Sequence, residues 1–463
     1  MNSYRLKQYT KGNKVNQNTL QGNLFSYREI WKISYPIIIG LVAQNIMLVI
    51  DTAFLGRVSE VTLGAAAIGG VFYLTLVMLG TGFAIGAQIM IGRRNGAKQY
   101  YAIGNIFDHA QGVLIAMAII LWVLLHFFTP MLMEQFITSP AILKESLIFI
   151  DVRKYGLLFG FIVLGFNALY VGNTQTKVLS LSTFVMAMFN IVFDYVLIFG
   201  HYGFPEMGIA GAALATNIAE FFTFVFYLSW TLIHADHKKY KFFIRIFPDY
   251  ALLRSLMNLS TPVMFQYFFS FTAWFIFFLI IERIGETALA ASNITRSIYM
   301  VLMIPVWGLS AAVNTLVSNT IGRGHHELVI PLILRVLIIG IVITVLMVQV
   351  ILFFPQPIIG FYTESQDLIE ATLPLLRVIS VALIAFSVGM IIFNGLSGTG
   401  KTMLALKIEI LAILFYLLTT LILALGFKAP AHVVWMVEIV YFSSMGLFAF
   451  IALKKANWRE ITI

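Results

Sequence analysis

The chain has 463 residues, of which 60% are hydrophobic and only 11% are charged, and its mean hydropathy is +0.91. Soluble domains are usually about half apolar and about a quarter charged, so this composition excludes a soluble protein and predicts an integral membrane protein. The net charge of +9 would suit a nucleic-acid binder, but the basic residues fall between hydrophobic runs, so we expect no nucleic-acid partner. The absence of cysteine excludes disulfides and thiolate metal sites.

Apolar runs long enough to cross a bilayer recur along the chain, since a spanning helix needs about 20 apolar residues. The pattern predicts an all-α integral membrane protein with twelve transmembrane helices. Helices 1–12 are expected near 33–56, 62–91, 104–128, 148–171, 179–199, 207–233, 253–281, 288–320, 328–354, 370–395, 403–426 and 429–453.

Lysine and arginine concentrate in the connections on one side of the predicted helices, for example at Arg93, Arg94 and Lys98, and acids such as Glu134 and Glu364 lie on the other side. An excess of basic residues marks the cytoplasmic side, and an even number of helices places both termini together. We therefore predict a multi-pass protein of the cell inner membrane with both termini cytoplasmic.

The chain repeats itself at an offset of 226 residues. The related pairs are SYPIIIG and STPVMFQ at Ser34 and Ser260, RVSEVTLGAAA and RIGETALAAS at Arg57 and Arg283, and GNTQTK and GTGKTM at Gly172 and Gly398. One offset over three blocks predicts two homologous halves, and six helices in each half make them parallel repeats. Two such bundles can rock around a shared central site, which favours a transporter over a channel.

The repeat also predicts the domain boundaries. We expect a cytoplasmic tail at 1–32, an N-lobe at 33–235 with helices 1–6, a cytoplasmic linker at 236–252, a C-lobe at 253–453 with helices 7–12, and a cytoplasmic tail at 454–463. Because one chain contains both halves, we expect a monomer surrounded by membrane lipids.

The string GLSGTGKT, Gly395 to Thr402, matches the phosphate-binding loop pattern. That loop requires a preceding strand and a soluble α/β domain, whereas this string joins two apolar runs. The matching segment of the first half, VGNTQTKV, lacks the pattern. We therefore expect a tight turn and no bound nucleotide. The sequence shows no paired nucleophile and base or metal cluster, so we do not expect an enzyme.

Two carboxylates lie inside apolar runs, Asp51 in helix 1 and Asp194 in helix 5. A charge at membrane depth costs at least ~2.5 kcal/mol on insertion scales, so it is kept mainly where it faces a bundle interior or a water-filled path. Both acids lie roughly 8–9 Å inside the extracytoplasmic ends of their helices. Asn190 lies on the same helical face as Asp194, and Gln44 on that of Asp51. This pattern predicts one shared site.

Thr216 and Asn217 place further oxygen atoms at mid-depth in helix 6. The alternative to a functional site is that each acid is an isolated, satisfied hydrogen-bonding group. If the pair is functional, carboxylates in apolar surroundings hold protons more readily than in water and can load and release them. Oxygen ligands of this kind also suit a hard cation such as Na⁺. The residues leave H⁺ and Na⁺ open, and we expect no cofactor besides this ion.

Several polar residues are weaker candidates. Glu220 in helix 6 is either a proton relay or a residue facing a cytoplasmic vestibule, and Arg296 in helix 8 either pairs with an acid or lines the cavity. Arg296 is the one basic residue that we assign inside the membrane. Glu409 and Glu438 are interpreted as structural or interfacial.

The second half differs from the first, because the offset of 226 pairs Asp51 with Phe277 and Asp194 with Thr420. The ionisable pair is therefore expected only in the first half. Helix 7 instead carries an aromatic stripe, which is either lipid-facing or the wall of a cavity for flat, lipophilic and cationic compounds. The stripe consists of Phe268, Phe271, Phe275 and Phe278.

Four segments together resemble the multidrug and toxic compound extrusion (MATE) family over essentially all twelve helices. They are VIDTAFLGRVSEVTLGAAAIGG, FNIVFDYVLIFG, GIAGAALAT and NITRSIYMVLMIPVWGLSAAVNTLVSNTIGRG. The resemblance implies an antiporter that exports lipophilic, often cationic compounds in exchange for H⁺ or Na⁺. It also implies coupling roles for Asp51, Asn190, Asp194 and Thr216, with Na⁺ as a possible ligand of the first three.

The pattern is similar to the DNA-damage-inducible protein F and archaeal branch of that family, in which the first half binds the coupling ion. Another branch carries acids in helices 7 and 10, where this chain has Ser270 and Phe386. The alternative function is a flippase for a lipid-linked oligosaccharide, which would need several intramembrane cations. Gln44, Asn217, Arg296, Phe268, Phe271 and Phe275 remain weaker candidates for the substrate cavity.

Overall fold

The computed structural model describes residues 26–137, 139–242, 249–455 and 457–458, which are almost entirely helical and contain no strand. Eleven helices in this part of the chain are long and apolar enough to cross a membrane. The main helices are α1 Tyr27–Val58, α2 Glu60–Gly96, α3 Tyr100–Phe136, α4a Pro140–Arg153, α4b Gly156–Gly172, α5 Lys177–Phe199, α6 Gly208–His234, α7 Tyr250–Glu282, α8 Glu286–Gly322, α9 Val329–Phe353, α10 Gln366–Gly398, α11 Thr402–Leu421 and α12 Val437–Lys455.

The fourth predicted span is interrupted. The segment expected at 148–171 consists of α4a and α4b, which are separated at Lys154 and Tyr155. The second piece is apolar but shorter than a full span. Together the two pieces complete the predicted set of twelve, and the break becomes important for the site described below.

Helix ends extend beyond the predicted spans at both termini. The first helix begins at Tyr27 because Ser26 and Glu29 form a reciprocal capping box, whereas the span was expected from residue 33. Most of the predicted tails, 1–25 and 459–463, lies outside the described residues, as does 243–248 of the linker. A short helix, His237–Tyr240, belongs to the described part of that linker.

Each half of the chain has its own large apolar core. The first is centred on α2, α3, α4b and α6, and contains the buried rings of Phe107, Phe161 and Tyr227. The second is centred on α7, α8, α10 and α12, around Phe386 and Trp435. The two cores lie mainly in the predicted N-lobe and C-lobe, with Leu256 and Leu259 of α7 joining the first and Ile30 of α1 joining the second.

The lobes meet where α2 packs against α7 and α8, and where α1 packs against α8. We call the helix ends at Tyr27, Gly96, Tyr250 and Gly322 the terminal face, and the opposite ends the loop face. Glycines permit the close approach near the terminal face. A Cβ atom at Gly96 would lie 2.0 Å from the backbone oxygen of Asn319, and one at Gly322 would lie 2.0 Å from that of Arg93.

Polar side chains cross this seam between the lobes. Gln88 Nε2 donates to Thr315 Oγ1 at 2.8 Å, and Asn95 Nδ2 donates to Asn319 Oδ1 at 2.7 Å. Arg93 Nη2 donates to the backbone oxygen of Thr399 at 2.6 Å. These residues belong to the halves of their helices nearer the terminal face, so that face is where the structure joins the lobes.

Candidate cation site in the N-lobe

Asn190 and Asp194 lie one turn apart on α5, and both are fully buried. Neither oxygen of the Asp194 carboxyl group, nor Oδ1 of Asn190, has a hydrogen-bond partner among the described residues. Buried acceptors without donors are rare, because leaving one unmatched costs about 1–3 kcal/mol. The inner face of α5 therefore presents three oxygen atoms that lack a positive partner.

Asp51 of α1 completes a carboxylate pair. Its side chain faces Asp194, and the two groups interact directly. Oδ1 of Asp51 is also buried without a hydrogen-bond partner. Two carboxyl groups at short range do not both stay ionised on their own, because their negative charges repel each other. Either one of them binds a proton, or another cation lies between or beside them. The predicted pairing of these two acids is thus present in the structure.

Close packing of α1 on α5 sets this geometry. Ser180 Oγ of α5 donates to the backbone oxygen of Pro36 at 2.8 Å. A Cβ atom at Gly40 would lie 3.2 Å from Thr183 Oγ1, so the glycine helps to keep the two helices near each other. Because these contacts hold α1 and α5 together, Asp51 and Asp194, which lie nearer the loop face, come to lie opposite each other.

Thr216 of α6 contacts Asn190. Asn190 Nδ2 donates to Thr216 Oγ1 at 3.4 Å, and the threonine hydroxyl donates to the backbone oxygen of Ala212 at 3.0 Å. The amide nitrogen of Asn190 is used in this way, whereas its Oδ1 has no hydrogen-bond partner among the described residues. The structure therefore brings together Asp51, Asn190, Asp194 and Thr216.

A buried ion pair beside this site was not predicted. Arg153, the last residue of α4a, donates from Nη2 to Glu220 Oε1 at 2.5 Å and from Nη1 to Glu220 Oε2 at 2.9 Å. Nη1 also donates to Asn217 Oδ1 at 2.7 Å, and the guanidinium lies 4.3 Å from the ring centroid of Tyr73. Glu220 is therefore an arginine partner, and does not face a vestibule as one of its two interpretations held.

The break in helix 4 makes room for this pair. A Cβ atom at Gly156 would lie 2.2 Å from Arg153 Nη1 and 2.2 Å from Asn217 Oδ1. Asn217 Nδ2 donates to the backbone oxygen of Val152 at 2.7 Å, which satisfies one carbonyl group at the end of α4a. Asn217 is thus bonded inside the lobe, and it is better described as a partner of Arg153 than as a cavity residue.

The statement that Arg296 is the one intramembrane cation is wrong. Arg153 and Lys154 both fall inside the predicted span 148–171, and both are buried. Lys154 bonds to Asp151 and to His126 Nδ1, and so serves a different cluster. The signal was available in the string DVRK, because an intramembrane arginine is a functional candidate in its own right. Since Arg153 is matched by Glu220, it does not supply the free positive charge that a pyrophosphate carrier needs.

The remaining cavity candidates do not converge on the acids. Gln44 is exposed on α1, and Phe268 and Phe275 are 39% and 57% exposed on α7, with Phe271 partly buried. Arg296 is partly buried, with its guanidinium 5.2 Å from the ring centroid of Phe278. The aromatic stripe therefore lies at the surface of the C-lobe. Its exposed fraction does not distinguish a ring that lines a cavity from one that contacts lipid.

The buried acids of the C-lobe have hydroxyl partners. Glu409 Oε1 accepts from Ser270 Oγ and from Tyr441 Oη, each at 2.5 Å. Glu438 Oε1 accepts from Tyr416 Oη at 3.0 Å. Both residues are only 3% exposed, which is against the interfacial interpretation, and their structural role stays a prediction.

The phosphate-loop string forms the end of α10, a turn and the start of α11. Its glycines serve helix packing, since a Cβ atom at Gly398 would lie 2.4 Å from the backbone oxygen of Asn314. No strand precedes it in the described part of the chain. The local geometry is the predicted turn, and the absence of a nucleotide stays a prediction.

Together, the N-lobe acids form a site suited to a cation. Its ligands would be two carboxylates and one amide oxygen. No group of three or more histidine or acidic side chains with metal-binding geometry occurs among the residues that the structure describes. Proton transfer and binding of a weakly held monovalent ion both fit such a ligand set.

Two homologous six-helix lobes around a polar seam, with an acid pair buried in one lobe, define a membrane transporter. The chain belongs to the MatE family, whose pattern matches residues 36–196 and 262–422. The two matches begin 226 residues apart, which is the offset found in the sequence. The family consists of transporters and not of enzymes.

Relatives of this chain are named as multidrug resistance proteins. The probable multidrug resistance protein NorM of Thermotoga maritima is 26% identical over 399 residues, which cover 83% of each chain. The multidrug resistance protein MdtK of Photorhabdus laumondii is 23% identical and covers 76% of this chain and 77% of its own.

Solved transporter structures share the fold. A MOP-superfamily transporter from Pyrococcus furiosus is 20% identical with a TM-score of 0.84, over 92% of this chain and 96% of the other. An outward-facing multidrug resistance MATE transporter is 18% identical with a TM-score of 0.85, over 94% and 96%.

Proposed function

We propose that this protein is a secondary active efflux antiporter, which exports lipophilic and often cationic compounds in exchange for H⁺ or Na⁺. One observation carries the proposal. The carboxyl groups of Asp51 and Asp194 meet inside the lobe, and their buried oxygen atoms and that of Asn190 lack a hydroxyl or amide donor among the described residues. Such a site gains most from a positively charged ligand, because the acids otherwise repel each other in a medium of low dielectric constant.

Coupling follows from the position of the site inside one lobe. Cation binding would draw α1, which carries Asp51, toward α5. The same helix α1 packs on the C-lobe helix α8. The cation and the exported compound would therefore favour different arrangements of the lobes, and such coupling is reciprocal. A cation entering from outside would in this way promote release of the compound.

The seam supports alternating access. The lobes are joined at the terminal face by Gln88, Asn95 and Arg93 and by close glycine contacts. If the termini are cytoplasmic, as the basic loops predict, the joined face is the cytoplasmic one, and this state would be accessible from outside. Rocking of the lobes would then break the seam and open the space between the lobes to the cytoplasm.

The substrate class rests on the relatives named as multidrug resistance proteins and on the aromatic surface of α7. Exposed rings at Phe268 and Phe275 can stack against flat cations. We assign the protein to the inner membrane, with both termini cytoplasmic, working as a monomer among lipids and without a cofactor other than its coupling ion.

The decisive experiment uses purified protein in liposomes loaded with ethidium. A pH gradient or a Na⁺ gradient is imposed, and dye movement is followed by fluorescence. We expect one gradient to drive transport in the wild type, and Asp51→Asn to abolish that gradient dependence. The matched control is Glu438→Gln, which also converts a buried acid to an amide and should retain it.

Absence of gradient-driven movement in the wild type, for ethidium and for a panel of lipophilic cations, would overturn the proposal. So would unchanged gradient dependence in well-folded Asp51→Asn. Gradient-independent movement of a labelled lipid-linked oligosaccharide would instead support the flippase alternative.

A further inference from the structure

The Arg153–Glu220 ion pair has no role in the function proposed so far. Both side chains are about one-tenth exposed, at 9% and 10%, so the pair is almost completely removed from solvent. Removing two charges from water is costly, and a buried ion pair is frequently no more stabilising than apolar packing. Stability alone is therefore a weak explanation for keeping this pair within the lobe.

The pair lies beside the acid site. The guanidinium of Arg153 attracts the carboxylate of Asp51 across the lobe interior. The two sites are also linked through α6, where Thr216 contacts Asn190 and the next residue, Asn217, bonds to Arg153. A permanent positive charge thus stands within electrostatic range of a group whose proposed ligand is itself a cation.

The structure shows what restrains that charge. Both terminal nitrogens of Arg153 donate to Glu220, in the two-pronged geometry that holds a guanidinium in one orientation. Asn217 accepts a third hydrogen bond, and the ring of Tyr73 lies against the guanidinium. Glu220 thus pairs directly with Arg153 and offsets its positive charge.

We propose that Arg153 is an internal counter-ion that competes with the coupling cation for Asp51, and that Glu220 restrains it so that the cation can bind. The inference rests on the function proposed above. Both residues act through Asp51 and are positioning residues. When the cation leaves, the positive charge of Arg153 partly compensates the negative charge of the two buried carboxylates. This compensation lowers the energetic cost of an empty site inside the lobe.

The proposal predicts an effect of Glu220→Gln on cation affinity. Glutamine has nearly the same size and keeps one acceptor oxygen, but it no longer cancels the charge of Arg153. Arg153 then pairs more strongly with Asp51, and the coupling cation must displace it. Removing both charges in Arg153→Gln with Glu220→Gln takes away the competitor and its restraint together.

The experiment measures transport in liposomes as a function of the concentration of the driving ion, H⁺ or Na⁺, and separates apparent KM from maximal rate. We expect Glu220→Gln to raise the KM for the ion by about tenfold, with a smaller change in maximal rate. The double variant should return the KM to within about threefold of the wild type. Glu438→Gln is the matched control and should leave the KM unchanged.

A purely structural role for the pair gives a different result. In that case Glu220→Gln lowers the maximal rate or the thermal stability in detergent, the KM stays constant, and the double variant is no better than the single one. That pattern would overturn the proposal. If Glu220→Gln does not fold, Arg153→Gln removes the competing positive charge alone and should lower the KM for the ion, so an unchanged or higher KM in that variant would count against the inference.

Failure of the antiporter proposal is distinguishable from failure of this one. The first appears as absence of ion-driven transport in the wild type. The second appears as normal wild-type transport whose ion KM does not respond to the charge at position 220.

Discussion

The two lobes are homologous, yet they treat buried acids in opposite ways. In the C-lobe, Glu409 and Glu438 accept hydrogen bonds from serine and tyrosine hydroxyl groups. In the N-lobe, the oxygens of Asp194 have no hydroxyl or amide donor among the described residues, and their direct partner is the carboxyl group of Asp51. Glu409 Oε2 is the one C-lobe carboxylate oxygen that is likewise buried without a partner among the described residues. Buried acids in both lobes are removed from water, but only those of the C-lobe have hydroxyl groups that donate hydrogen bonds to them. We infer that an acid without such neutral donors is the one that binds a cation.

Equivalent positions confirm that the contrast lies in side-chain chemistry. The counterpart of Asp51 is Phe277, whose ring packs against Tyr416 and Trp435 with centroid distances of 5.6 and 5.4 Å. The counterpart of Asp194 is Thr420, whose hydroxyl donates to the backbone oxygen of Tyr416 at 2.7 Å. The C-lobe fills with aromatic packing the place where the N-lobe has its acid pair.

The largest expected effect comes from Asp194→Asn. The amide cannot bind a proton or balance a cation as a carboxylate does, so ion-driven export should fall on the order of 100-fold. Thr420→Val, at the equivalent place in the C-lobe, should retain most of the activity. Transport assays in liposomes with equal protein incorporation compare the two. Similar losses in both variants would contradict the proposed asymmetry between the lobes.

A smaller effect is expected at the seam on which the lobes would rock. Gly322→Ala places a methyl group against the backbone oxygen of Arg93, so it should separate the lobes at the terminal face. Export should fall about tenfold because one state is disfavoured.

Spin labels can report this shift, since the chain has no native cysteine to interfere. Cysteines placed at Glu60 and Glu286, at the starts of α2 and α8 on the loop face, should move closer together in Gly322→Ala. Gly70→Ala is the control, because nothing lies within 4 Å of its added Cβ atom. An unchanged distance distribution in Gly322→Ala would refute the expected shift.

Thr216→Val should have a modest effect. The substitution keeps the shape of the side chain and removes the acceptor used by Asn190, a long hydrogen bond of 3.4 Å. We expect the KM for the driving ion to rise about threefold, since a single hydrogen bond contributes about 1 kcal/mol or less. Thr223→Val, elsewhere on α6, removes a hydroxyl that bonds only within its own helix and serves as the control. Equal shifts in both variants would remove Thr216 from the site.

The smallest effect is expected from Glu409→Gln. The amide oxygen can still accept from Ser270 and Tyr441, so export should change by less than about threefold. A loss as large as that of Asp194→Asn would contradict the comparison between the lobes, because it would mean that the C-lobe also contains an essential acid. Thermal stability of the purified variant separates such a loss from misfolding.

The sequence predicted much of this architecture. Long apolar runs specify membrane helices, and the offset of 226 residues specifies two parallel repeats, which the two family matches reproduce. The acids at positions 51 and 194 were paired by depth alone, because a rise of about 1.5 Å per residue converts sequence distance into membrane depth. Helix boundaries were less accurate at Tyr27, where a capping box extends α1.

By itself, then, the sequence determined the fold class, the repeat and the two acids inside apolar helices, Asp51 and Asp194. Each of these depends on local composition or on spacing along the chain. Only the tertiary structure decided which charges meet. Arg153 and Glu220 are 67 residues apart and on different helices, and their pairing depends on the break in helix 4 and the space at Gly156. The lack of hydroxyl or amide donors around Asp194 likewise could not be predicted from the sequence, because the hydrogen bonds of a buried group depend on every helix packed around it.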